Sequence, residues 1–195
     1  MPRCKVCMNS FDSLLRGERI CASCFRRLEV LFETKRIEDV SGRILYAYND
    51  FFRNLLYLFK GCGDYELREV FLSRFRRELK IRFAGYSVIP APSNEAEDEK
   101  RGYNHVVEIA KSLDLPILPL LFKNKPFKQS ARSFSERRKV RDDLSLKNGS
   151  PIVGKKILLM DDVVTTGETM KAMIDLVRPL RPKKIRFLVL ATKKD

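Results

Sequence analysis

Four of the five cysteines lie within the first 24 residues, as Cys4-x2-Cys7 and Cys21-x2-Cys24 with 13 residues between the pairs. Two such knuckles folded against one another supply four thiolates in a tetrahedron, the donor set that Zn2+ prefers. Four sulfur ligands leave no open position for water, so the metal expected here is structural. A segment of this size builds little core alone, and the ion would fold it. The intervening Met8 to Ile20 contains Gly17 and polar turn formers, as a hairpin or loop between knuckles requires. Disulfides or free buried thiols are the alternative. Disulfides would need an oxidising compartment, and the chain opens Met-Pro-Arg-Cys with no apolar signal segment behind it. Cys62, in a Lys-Gly-Cys-Gly-Asp turn, is given no function.

A second cluster begins at Ile157. Four apolar residues, Ile157 to Met160, read as a buried strand, and two adjacent acids, Asp161 and Asp162, emerge at its carboxyl end. That is where ligands bind in open α/β sheets. Thr165, Thr166, Gly167 and Thr169 then open a helix. Gly167 allows the backbone to turn closely around a ligand, and the free N–H groups of a helix start, with three hydroxyls, cradle a phosphate. Carboxylates beside such a cradle suit a ligand with phosphate and vicinal hydroxyls. They accept hydrogen bonds from ribose hydroxyls or help hold Mg2+.

The elements that must position these residues follow from periodicity. After the cysteine segment 1–27, Leu28 to Val40 (within a linker, 28–42) reads as an amphipathic helix or linker. Residues 43–195 read as one domain with strands at Arg43–Tyr48, Tyr86–Ile89, Ile117–Phe122, Ile157–Met160 and Ile185–Ala191. Helices are expected at Phe51–Lys60, Tyr65–Phe83, Tyr103–Leu113 and Glu168–Leu180, with Asn94–Arg101 a charged, mobile loop and Asp161–Gly167 a loop. Strands alternating with helices predict a parallel α/β sheet.

The 195 residues, 44% hydrophobic and 33% charged, make a globular chain with room for one substantial domain and an appendage. The longest apolar runs are a few residues long, which excludes a transmembrane helix. Lys and Arg number 39 against 25 acids, a net charge of +14 and a pI near 9.8. Such an excess favours polyanionic partners. Within 123–141, Lys123, Lys125, Lys128, Arg132, Arg137, Arg138, Lys139 and Arg141 face a single acid, Glu136. With a second basic run at 68–82, the cysteine segment's Arg3, Lys5, Arg16, Arg19, Arg26 and Arg27, and Phe127, Phe134, Tyr86 and Tyr103 as stacking platforms, they are the candidate single-stranded DNA contacts.

The stretch from Ile157 to Thr169 resembles the signature loop of type I phosphoribosyltransferases, which binds phosphoribosyl pyrophosphate (PRPP). The resemblance implies a parallel twisted sheet of that kind, with the Cys4 zinc module added in front. It also implies that Asp161 and Asp162 contact the ribose hydroxyls, with bound Mg2+ nearby, and that Val164, Thr165, Thr166, Gly167, Glu168 and Thr169 hold the 5′-phosphate. Ala91, Pro92 and Ser93 fall where such folds carry a pyrophosphate loop, and Lys100 and Arg101 would neutralise pyrophosphate charge from a closing loop. The knuckle pair, the Pro90-Ala-Pro-Ser93 strand end, the Arg101-Gly-Tyr-Asn104 element and the C-terminal loop, in this order, resemble the ComF family of bacterial competence. Two positions depart from that pattern: residues 137–144 lack the family's Asn, and His105, read as a surface or capping residue, stands where Gln is common.

The ComF resemblance implies a cytoplasmic protein, or one peripherally associated with the inner face of the cytoplasmic membrane. It would handle single-stranded DNA during natural transformation beside a helicase-like competence protein. The alternative is an active phosphoribosyltransferase of nucleotide metabolism, in which an acceptor attacks the anomeric carbon of PRPP and Mg2+-bound pyrophosphate departs. No side-chain nucleophile is needed for that reaction. The sequence shows the donor site and no recognisable acceptor pocket.

Overall fold

The computed structural model describes residues 1–12, 18–123, 144–146 and 152–193. The centre is a five-stranded sheet formed by β1 (Val30–Ile37), β2 (Val40–Ala47), β3 (Tyr86–Pro90), β6 (Lys156–Val164) and β7 (Lys184–Thr192), in the order β1-β2-β7-β6-β3. All neighbours are parallel except the edge pair β1–β2, a hairpin closed between Ile37 and Val40. A short antiparallel pair, β4 (Leu121–Lys123) and β5 (Leu144–Leu146), stands apart.

Both faces of the sheet are covered, which is why its central strands read as unbroken apolar runs. Side chains alternate along each strand. Leu158, Met160, Leu188 and Leu190 join one apolar cluster with Phe52, Leu56 and Phe59 of helix α2 (Asp50–Lys60) and Val106 and Ile109 of α5 (His105–Ala110). Ile157, Leu159, Phe187 and Val189 join the other, with Met170, Met173 and Ile174 of α6 (Glu168–Val177).

The helix expected over 28–40 is instead strand β1. Its apolar residues fit either period, and pairing with β2 decides the outcome. A register shift between Val30 and Glu33 places Phe32 at φ 45° and stacks its ring on Phe75, 4.8 Å between centroids. The helix expected at 65–83 breaks into a 3-10 turn (Tyr65–Glu69), irregular turns, and α3 (Arg76–Arg82). Val70, Phe71 and Leu72 are all buried, and three consecutive residues cannot share one face of a regular helix.

The segment expected as a loop at 94–101 is helix α4 (Glu95–Arg101). Its Asn94 side chain caps the Ala96 N–H, and Gly102, at φ 82°, closes it by donating to the Asp98 carbonyl. Acids fill its first turn and bases its last, matching the helix dipole. The expected loop from Asp161 is, as far as Val164, a continuation of β6, paired with β7 through Val164 and Thr192.

A Cβ added to Gly42 would collide with the ring and the carbonyl oxygen of Phe187 on β7. Gly42→Ala is expected to destabilise the protein by about 2 kcal/mol or more through overpacking. Urea denaturation checks this, and an unchanged midpoint would contradict it.

Candidate functional site

The apolar part of β6 ends at Met160, and the next two residues are carboxylates held inside the sheet. The Asp162 side chain is 13% exposed. Its Oδ2 accepts from Nε2 of His105 at 2.9 Å and from Nζ of Lys60 at 3.1 Å, and its Oδ1 accepts from the Val163 N–H at 2.7 Å. Asp161 Oδ1 accepts from the Asp162 N–H at 2.9 Å. Burial, then the adjacent Asp162 charge, push the Asp161 carboxyl well above the usual carboxylate range. Burial acts on Asp162 in the same direction, but the His105 hydrogen bond, with the His105 and Lys60 charges, outweighs it and holds this carboxyl well below that range. Opposed environments thus push the two neighbouring carboxyls in opposite directions.

His105 is the first residue of α5, behind the Asn104 cap, and is buried. The sequence suggests a surface or capping residue; the fold buries its ring against Asp162 instead. A carboxylate only accepts, so Nε2 donates. Nδ1 is buried with no hydrogen-bond partner among the described residues. Lys60 was not singled out from the sequence at all. It ends α2, and only the sheet order brings it to a partner 102 residues away.

Beyond Val164, Thr165 and Thr166 are exposed, and Gly167 adopts φ 83° at the start of α6. That left-handed conformation is the reason for glycine here, since a Cβ would meet only ordinary contacts. No side chain caps this helix start. Glu168 instead pairs with Lys171 at 3.1 Å, which leaves the first-turn N–H groups able to face an anion. Beside β6, the Ala91 N–H donates to the Met160 carbonyl at 2.7 Å, which sets Pro92 and Ser93 next to the acids' strand. Arg101, its side chain 8% exposed, donates to the Lys60 carbonyl at 2.7 Å and to Asp98 Oδ1 at 2.8 Å. Lys100 is exposed on the same helix.

At the N-terminus, the sulfurs of Cys4, Cys7, Cys21 and Cys24 all lie within 4.8 Å of one another, with Cys7 and Cys21 at 3.8 Å. A tetrahedron with metal–sulfur bonds of about 2.3 Å sets its sulfurs roughly 3.8 Å apart, so the cluster fits Zn2+. The Val6 and Cys21 N–H groups point at Cys4 Sγ, both at 3.4 Å. Burial raises the Cys4 thiol, but backbone N–H groups from Cys21, Cys7 and Val6 bring it down to about 7. Burial and the neighbouring sulfurs push Cys24 up, a conflict that a cation resolves. The cluster sits on the first core: Cys4, Ile20, Cys24 and Leu28 join the apolar group of Leu158 and Met160.

Among the expected DNA-contacting groups, Tyr86 is buried core, and Tyr103 stacks on Phe59 with its hydroxyl donating to the Phe59 carbonyl, so neither is a free platform. Lys123 ends β4. Lys125, Lys128, Arg132, Arg137, Arg138, Lys139, Arg141, Phe127, Phe134 and Arg16 lie outside the described residues.

A family model described as a phosphoribosyl transferase domain matches residues 99–195. The chain is 29% identical over 189 residues to competence protein ComFC of Streptococcus pneumoniae, covering 94% of this chain and 84% of that protein. It is 32% identical over 131 residues to competence protein ComFC of Bacillus subtilis, covering 66% of this chain and 54% of that protein. A solved adenine phosphoribosyltransferase overlays on 87% of this chain and 89% of its own at 17% identity, with a TM-score of 0.48. The fold is that of the type I phosphoribosyltransferases, with a cysteine cluster suited to a structural metal in front of it. Within that class the chain is similar in sequence to the ComFC competence proteins. Among the described residues, no helix is long and apolar enough to cross a membrane.

Two predictions follow from this geometry. Purified protein is expected to carry about one zinc per chain, and Cys21→Ser to lose it together with thermal stability; elemental analysis of a fully folded, metal-free preparation would contradict this. The two acids are expected to act oppositely on stability. The depressed carboxyl of Asp162 stabilises the fold above its unfolded value of about 3.9, and this is lost as pH falls through the folded value. The raised carboxyl of Asp161 costs stability increasingly above about pH 3.9, and fully above its folded value. At neutral pH, Asp161→Asn should therefore stabilise by about 1 kcal/mol, and Asp162→Asn destabilise by about 1.5–3 kcal/mol. Thermal melts showing shifts of the same sign would refute the split.

Proposed function

We propose that this chain binds PRPP with Mg2+ at the carboxyl end of β6 and handles single-stranded DNA in natural transformation. The observation that carries the reading is the adjacency of the split acid pair to an uncapped helix start behind Gly167. Asp161 and Asp162 would take the ribose hydroxyls, and Val164 to Thr169 the 5′-phosphate. Ala91, Pro92, Ser93, Lys100 and Arg101 would serve the pyrophosphate, whose charge Mg2+ shares. A ribose needs acceptors for two vicinal hydroxyls, and its phosphate needs amides without a side chain in the way; both are available within one strand-turn-helix unit.

The part in DNA handling is supported by the net charge of +14 and by the likeness to proteins named for competence. In this reading residues 1–27 form a zinc-braced module set on residues 43–195 through the segment 28–42. The module adds Arg26 and Arg27, both exposed, to the basic surface.

Calorimetry with PRPP and Mg2+ is expected to show binding that Asp161→Ala weakens by about three- to tenfold, the loss of one hydrogen bond to a neutral carboxyl. Fluorescence anisotropy on the same preparation should show single-stranded DNA binding whose affinity falls steeply as salt rises. No heat from PRPP would overturn the sugar-phosphate assignment, and salt-insensitive or absent DNA binding would overturn the second role.

A further inference from the structure

Two groups assigned above to pyrophosphate, the Ser93 hydroxyl and the Arg101 guanidinium, are held by one carboxylate of the chain itself. Ser93 Oγ donates to Asp98 Oδ2, and Arg101 donates to Asp98 Oδ1 at 2.8 Å. Asn104 Nδ2 in turn donates to Ser93 Oγ at 2.7 Å, and the Lys60 carbonyl fixes the other arm of the guanidinium at 2.7 Å. The Arg101 side chain is more than nine-tenths buried, and its Nε has no hydrogen-bond partner among the described residues. The cradle is therefore built, with its arginine largely withdrawn from water and one donor still open.

Guanidinium and hydroxyl donors bind carboxylate and phosphate oxygens alike. A buried arginine without an anion is costly, so an internal carboxylate stabilises the ligand-free state. The same carboxylate must be released before an external anion can take its donors, and that release is subtracted from the ligand's affinity. We infer that Asp98 is an internal stand-in for the diphosphate of the ligand, and that it sets the protein's affinity for PRPP by competing for Ser93 and Arg101. The inference rests on the reading that PRPP binds at this site. Asp98 lies on α4, whose capping residues Asn94 and Gly102 flank the cradle, so release of the carboxylate needs only a local shift of a seven-residue helix.

Calorimetry with Mg2+ present tests this, using PRPP, inorganic pyrophosphate and ribose 5-phosphate in turn. Asp98→Asn and Asp98→Ser should each bind PRPP and pyrophosphate about tenfold more tightly than the unsubstituted chain, with ribose 5-phosphate unchanged. Glu97→Gln removes the same charge from the same helix. Its side chain is 68% exposed and 3.9 Å from Arg101, so it should stay within about twofold. Circular dichroism establishes that each variant is folded, and two different replacements at position 98 guard against the failure of either. PRPP binding that is unchanged or weaker in folded Asp98 variants would overturn the stand-in and leave the proposed function in place. An equal gain for ribose 5-phosphate, or for Glu97→Gln, would also overturn it, because the effect would then be general charge. Absence of PRPP binding in the unsubstituted chain and all variants would remove both readings. Binding that emerges only in the Asp98 variants would support both.

Discussion

Placing two adjacent carboxyls directly behind four fully buried strand residues, Ile157 to Met160, is the constraint on which the site depends. One such group is accommodated by neutralising it, but two side by side repel, and each is largely withdrawn from water. The chain resolves this by giving them unlike surroundings. Asp162 receives hydrogen bonds from an imidazole on α5 and an ammonium on α2, whereas burial and the neighbouring Asp162 charge outweigh the pull of Lys123 on Asp161 and drive it toward its protonated form. The helices at this end are positioned accordingly. Helix α2 ends at Lys60, where its Nζ reaches Asp162 and its carbonyl anchors Arg101, and α5 begins at His105 behind its own Asn104 cap. Asn104 also reaches Ser93 through its side-chain amide. A single connected polar path thus runs from Ser93 through Asp98, Arg101 and Lys60 to Asp162 and His105.

The parts of this arrangement that could be read from the sequence are those in which one physical requirement acts locally. An apolar run followed by two acids, hydroxyls and glycine announces a strand, a turn and a helix start. Paired knuckles announce a tetrahedron, and both expectations agree with the geometry. The parts that could not be read depend on choices made at a distance. The apolar spacing of Leu28, Leu31, Phe32 and Ile37 suits a helix as well as a strand, and the edge of β2 decides between them. Lys60 looks like any lysine ending a helix until the sheet order brings β6 beneath it. His105 carried a weak signal, being the single histidine at a helix start, but its burial depends on β6 lying opposite. For α4 the signal is local: Asn94 and Gly102 are capping residues at helix spacing, although the charge density of the segment suits a loop as well.

The cysteine cluster is tied to the same framework. Phe25 and Phe32 both meet Phe75, Arg74 lies 4.8 Å over the Phe25 ring, and Asn49, which caps α2, donates to the Arg27 carbonyl at 2.8 Å. The metal-binding end and the helix carrying Lys60 are therefore directly connected, whereas the apolar residues on the opposite face of the sheet belong to a separate cluster.

That division of the sheet has a mechanical meaning. Asp162 is braced by elements of one face, whereas the turn at Gly167 leads into α6 on the other, and the strands lie between the two layers. A molecule held at once by the acids and by the α6 entrance would rivet the layers together from the rim. Its occupancy would be felt as stiffness throughout the sandwich, well away from the atoms it touches.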